Sequence, residues 1–134
     1  MRRRHSPRPR RAVAASELAV CLPVIVLLIL AMIEACTMIF LKQSLTVASY
    51  EGVRTALKQG AAAGDVQTTC DAVLRDRRVQ GGAVSIQPGN FASLAPGEYI
   101  QVTVSAPTNP NAVIPGNFMR GRTLSATATM MKEF

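Results

Sequence analysis

The stretch LAVCLPVIVLLILAMIEACTMIFL, Leu18 to Leu41, decides how the rest of this chain is read. Its 24 residues hold one formally charged side chain, Glu34, and one helix breaker, Pro23. As a helix the stretch is about 36 Å long, against about 30 Å of bilayer hydrocarbon. It spans a membrane with some tilt.

The flanks orient it. Arg2, Arg3, Arg4, Arg8, Arg10 and Arg11 precede it, whereas Lys42, Arg54 and Lys58 are the first basic residues to follow. Basic residues stay on the cytoplasmic side, so the amino end is expected inside and the chain beyond about residue 42 outside. This predicts three parts: a basic leader or cytoplasmic arm, 1–12, a transmembrane helix, 13–41, and an exported helix-plus-sheet domain, 42–134.

The chain has 134 residues and a formal charge of +7, but the charge sits in one place. Residues 1–12 carry six arginines and no acid, and the remainder holds 9 basic and 8 acidic residues. A nucleic-acid surface needs its basic patch on a folded face, ideally with aromatic interleaving, so no nucleic-acid partner is expected. With no tryptophan, two tyrosines and four phenylalanines, the small core must rest on aliphatic residues. Three cysteines are no disulfide framework. Cys21 and Cys36 fall inside the apolar run, where packing is the simplest role, and Cys70 is expected as a buried free thiol, with intermolecular pairing as the alternative.

Helical periodicity continues past Leu41. In Lys42 to Gln59 the residues Leu45, Ala48, Gly52, Val53, Ala56 and Leu57 recur at spacings of three and four, which makes an apolar stripe. Gly60 supplies a carboxyl cap, so one helix is expected from Ser16 to Gln59, about 65 Å long. Gly52 weakens that helix and points to close approach of another backbone. After a GAAAG turn at 60–64, Asp65 is the expected N-cap of a second helix with Val66, Cys70, Val73 and Leu74 on one face. Arg75, Arg77 and Arg78 suit the carboxyl end of its dipole.

Beyond Gly81 and Gly82 the period becomes two. AVSIQ (83–87), EYIQVTVSA (98–106) and RTLSATATMMK (122–132) read as three half-buried strands of a small antiparallel sheet. The expected class is α+β, a long helix, transmembrane and then amphipathic, packed on a three-stranded antiparallel sheet. The connection 107–121 is broken by three prolines yet carries Val113, Ile114, Phe118 and Met119, which suggests a partner-facing loop.

Two carboxylates interrupt apolar surroundings. Glu17 stands at the start of the run, and Glu34 lies deep inside it. Glu34 can face lipid protonated, reach the outer interface charged, or pair with a partner helix, as intramembrane carboxylates commonly do. Pro23 removes one backbone hydrogen bond, so a kink or local melting is expected there. The only histidine, His5, sits in the leader. No Ser–His or Cys–His pair, zinc spacing or phosphate-binding glycine loop is present. A non-enzyme without cofactor or metal is expected.

Residues 10–57 resemble the amino-terminal region of TadE-like proteins, minor pseudopilins of Tad (Flp-type) pilus systems. The resemblance rests on Arg10-Arg11, Glu17 before an apolar run with Leu22-Pro23, Ile33-Glu34, and Gln43 to Arg54 as QSLTVASYEGVR. It implies a pilin-like spine helix, a bacterial inner-membrane location, and a role in pilus assembly or secretion. It further implies partners among other pseudopilins or pilin subunits and the membrane assembly platform, besides the lipid bilayer itself. In pilin-type signals the glutamate becomes the fifth mature residue, which would put a cut between Ala12 and Val13. The chain departs from the pattern with Ala12 where glycine is usual and Leu18 where an aromatic residue is frequent, and retention of the leader is the alternative. Glu17, Pro23, Glu34 and Gly52 are the candidate helix-packing positions. A rival reading is an exported lipoprotein or secreted binding domain, because Ile33-Glu34-Ala35-Cys36 loosely mimics a lipobox.

Overall fold

From Pro9 to Ala56 the chain forms one helix, α1, of 48 residues, in a computed structural model that describes residues 9–113 and 121–133, with residues 9–12 as helix backbone alone. No glycine precedes residue 52, and the proline at position 9 falls where a missing N–H costs a helix nothing. The helix is about 72 Å long. It starts earlier than expected and ends earlier than Gln59. At its end Lys58 N donates to Thr55 O at 3.1 Å, a tighter turn than the α ladder, and Gly60 then takes a left-handed φ of +73°.

The second helix, α2, spans Ala63–Asp76, and its N-cap is Ala62, not Asp65. Alanine has no side chain with which to cap. Asp65 does the work from inside the first turn, its Oδ2 accepting from Ala62 N–H at 2.9 Å, where a carboxylate also complements the helix dipole. Val66, Cys70 and Leu74 are buried, one face of α2 against α1.

Three strands follow as an antiparallel meander with the second in the middle: β1 Ala83–Gln87, β2 Tyr99–Pro107 and β3 Thr123–Met131. Each lies within one residue of its predicted bounds. The register sets Val84 opposite Val104 and Val102 opposite Ala128, so the apolar residues of all three strands share one face. Ile100, Val102 and Val104 are fully buried beneath α1 and α2. The other face is polar, with the Thr103 and Thr127 hydroxyls 2.9 Å apart.

Side chains tie the connections down. Asn111 lies in a short 3-10 turn, Asn109–Asn111, within the segment expected to be irregular. Its Oδ1 accepts from Gln80 N at 2.8 Å, and its Nδ2 donates to the carbonyls of Gln80 and Pro107, each at 2.8 Å. One amide therefore fastens the α2–β1 link to the end of β2. Opposite it, Thr108 donates from N and Oγ1 to Arg122 O at 2.9 and 3.0 Å. Ile114, Phe118 and Met119 of the expected partner-facing loop lie outside the described residues, and Val113 is 75% exposed.

Candidate functional site

The surface that organises this protein is α1 itself, and it divides at about residue 38. Between Val13 and Thr37 the side chains are exposed except for Glu34 and Thr37, which are half-buried. Apart from Glu17 and Glu34 these 25 residues are largely apolar around the whole axis and make a rod of about 37 Å, enough to cross a bilayer. Burial begins at Met38 and continues through Leu41, Leu45, Ala48, Val53 and Ala56, spaced so that one stripe faces the sheet and α2. The covered stripe thus reaches back into the apolar run, and head and rod share one unbroken helix.

Ser44 and Ser49 are fully buried in that stripe, and each satisfies its hydroxyl within the helix. Ser44 Oγ donates to Phe40 O at 2.8 Å and Ser49 Oγ to Thr46 O at 2.9 Å. Such back-bonding lets small polar residues enter a helix–sheet seam without an orphaned group. Lys42, the first charge after the apolar run, donates from Nζ to Ser125 O of β3. This side-chain bond ties the start of the covered half of α1 to an edge strand of the sheet.

Gly52 is where the covered half comes closest to its neighbours. A Cβ there would lie 2.5 Å from Cys70 Sγ and 3.1 Å from Val102 Cγ1. Close approach was expected from another backbone; the structure instead places a cysteine sulfur and a valine methyl against the glycine. Cys70 Sγ–H donates to Ala48 O at 3.4 Å, so the thiol plugs into α1 one turn before the gap. Burial, with the Asp71 charge adding to it, pushes the Cys70 thiol up from 9.0 to about 11. The thiol is therefore neutral at physiological pH and, being unexposed, unreactive.

The remaining candidate residues lie along the rod. Val13 is exposed, Glu17 is exposed one helical turn further on, and Ala12 is described only as helix backbone. Pro23 does not melt the helix, which continues through it. A proline removes a single hydrogen bond, and the turns on both sides hold the segment in register. Glu34 and Gly52 are 18 positions apart along α1, Glu34 at the lower edge of the head and Gly52 inside it. No cluster of three His, Cys, Asp or Glu suited to a metal occurs among the described residues.

At the foot of the head lies a feature the sequence did not announce. A groove of about 220 Å³ is lined by Phe40 and Leu41 of α1, Arg77, Arg78 and Val79 after α2, and Pro110 to Val113. Arg78 closes α2 with a left-handed φ of +57°, and Val79 N donates back to Leu74 O at 2.8 Å. Glycine is the usual residue in that position, and another residue there costs about 1–3 kcal/mol. Gly81 and Gly82 stand just beyond, yet the left-handed residue that closes α2 is Arg78.

An α+β protein with one continuous helix serving as both apolar rod and head core is the class that fold and site define. The family described as TadE-like protein matches residues 12–54, about a third of the 134-residue chain. The match covers the whole rod and nearly all of the covered half of α1, and it ends two residues before the helix does. It includes Gly52 but neither Cys70 nor the sheet. No curated protein and no solved structure matches the chain.

Proposed function

We propose that this is a pseudopilin-like, single-span membrane protein acting in assembly of a Tad-type pilus or a related secretion apparatus. The observation that carries the reading is the coincidence of the TadE-like match, residues 12–54, with a helix that is bare where it is apolar all round and covered where it is amphipathic. A rod of this kind sits in the cytoplasmic membrane with its arginine-rich end inside, and it carries the head just outside the lipid. Its work is structural, through lateral packing with related pseudopilins, pilin subunits and the assembly platform, and no catalytic role is proposed.

Glu17 and Glu34 are the polar contacts available to such packing. After a cut between Ala12 and Val13, the new amino group of one subunit would lie near the depth of Glu17 on a neighbour, where a low dielectric strengthens pairing if both groups are otherwise hydrogen-bonded. The buried stripe begins at Met38, so the head keeps its core whether the mature chain starts at Met1, Val13 or Cys36. Stability does not discriminate these forms. Mass determination of the mature amino terminus, from full-length chain in the membrane fraction, does: Val13 with membrane retention supports the proposal, and a product lacking residues 18–35 that washes off vesicles without detergent overturns it. A lipid-bearing Cys36 would make the protein a lipoprotein instead.

A further inference from the structure

We propose that the groove between Phe40, Arg78 and Val113 seats the phosphate headgroup of an anionic lipid from the leaflet on the head's side of the membrane. The inference rests on the reading that the apolar rod stays in the bilayer. Depth is the first argument. Phe40 and Leu41 end the apolar run, and Lys42 follows as its first charge, so the groove lies at the level where hydrocarbon gives way to headgroups.

Its chemistry is graded in the same sense. Phe40, 51% exposed, and Val113, 75% exposed, present apolar surface, while two adjacent arginines, Arg77 and Arg78, stand in the same lining. A guanidinium is a planar donor fork that matches phosphate oxygens. Among the described residues neither guanidinium has a hydrogen-bond or ion-pair partner, although both backbone amides are bonded within the turn, Arg77 N to Val73 O and Arg78 N to Arg75 O, and the described lining of the groove includes no acid. The volume of about 220 Å³ is below the roughly 300–1,000 Å³ of pockets that enclose a drug-sized ligand. It fits one end of an amphiphile whose chains remain in the membrane.

The helix dipole accounts for Arg75, which stands in the last turn of α2. It does not account for Arg78, which lies past the helix end in a backbone conformation that glycine would adopt without strain. Arg78 lines this groove and also a neighbouring cavity beside Asp71 and Arg75, so its charge stands at the rim the two share.

The test is native mass spectrometry of the delipidated full-length chain in detergent, titrated with phosphatidylglycerol. The double variant Arg77→Gln/Arg78→Asn removes both charges and keeps at residue 78 a side chain that tolerates left-handed backbone. At about fivefold per arginine near a membrane surface, the double variant should bind phosphatidylglycerol ~30-fold more weakly. Arg54→Gln, an equal loss of charge on the exposed side of α1, should leave binding unchanged, and phosphatidylcholine should bind more weakly than phosphatidylglycerol. Equal binding by the double variant and the parent overturns the proposal. So does an equal loss in Arg54→Gln, or displacement of the lipid by inorganic phosphate, which would make the groove a site for free anions. Failure of the anchor reading looks different: the full chain would stay in detergent-free buffer before any lipid is added.

Discussion

Between Val13 and Thr37 the long helix is, Glu17 and Glu34 apart, largely apolar around its axis and bare on almost every side; from Met38 to Ala56 it is apolar along one stripe, and that stripe is buried. Both halves are rich in aliphatic residues. What differs is how those residues are distributed around the axis. A helix with a single apolar stripe can satisfy it against a sheet within its own chain, whereas one that is apolar all round needs surroundings that are apolar all round. If the rod is membrane-embedded as proposed, the 48-residue helix joins two solvents, with the handover within one turn of Met38.

The largest effect that separates the halves comes from equivalent truncations. Leu45→Ala should lower the unfolding free energy of the head by about 2–5 kcal/mol, because Leu45 is fully buried. Leu27→Ala, at a side chain 66% exposed, should stay within about 0.5 kcal/mol. Hydrogen exchange of β2 amides in the reconstituted full chain checks both, and similar losses at the two sites would erase the distinction.

Much of this was legible beforehand for physical reasons that particular residues make plain. Leu45, Ala48, Val53 and Ala56 declare a helical stripe, and Ile100, Val102 and Val104 declare a strand, because side-chain direction follows backbone period. The element that caps α2 was misplaced, because an aspartate can act from the third helical position as well as from the cap. Gly52 announced close packing but not its partner, since Cys70 lies 18 residues away on another helix. The groove at Arg78 was hidden for a different reason: a left-handed arginine follows no local pattern, and the charge alone reads as a helix-end residue.

A second effect comes from Cys70. Its thiol is raised from 9.0 unfolded to about 11 folded, so the folded state holds the proton more tightly. Stability from this group is complete below pH 9 and falls as pH rises through 11, by roughly 3 kcal/mol in the limit. Denaturant unfolding at pH 8 and pH 11 should show this loss in the parent and not in Cys70→Ala. An equal pH dependence in both would place the burden on other groups.

Smaller is the cost of filling the notch. Gly52→Ala forces a methyl into Cys70 and Val102, an overpacking cost of about 1–3 kcal/mol, against which alanine regains about 1 kcal/mol of helix propensity. Combined with Cys70→Ala, the new methyl occupies space that the sulfur leaves, so the double variant should be more stable than the sum of the singles by about 0.5–3 kcal/mol. Strict additivity would mean that the two sites do not touch. Smallest is Asp65→Asn, which weakens the first turn of α2 by about 0.3–1 kcal/mol, readable as a shift in the chemical denaturation midpoint.

The central claim concerns the change of surroundings along one helix, and a nitroxide scan through residues 20–52 of the full chain in proteoliposomes tests it most directly. Labels at 20–33 should all meet dissolved oxygen and none should meet a water-soluble relaxant, with no helical period, and from 38 onward accessibility should oscillate every 3.6 residues. A helical period across 20–33, with one side open to the aqueous relaxant, would contradict the account.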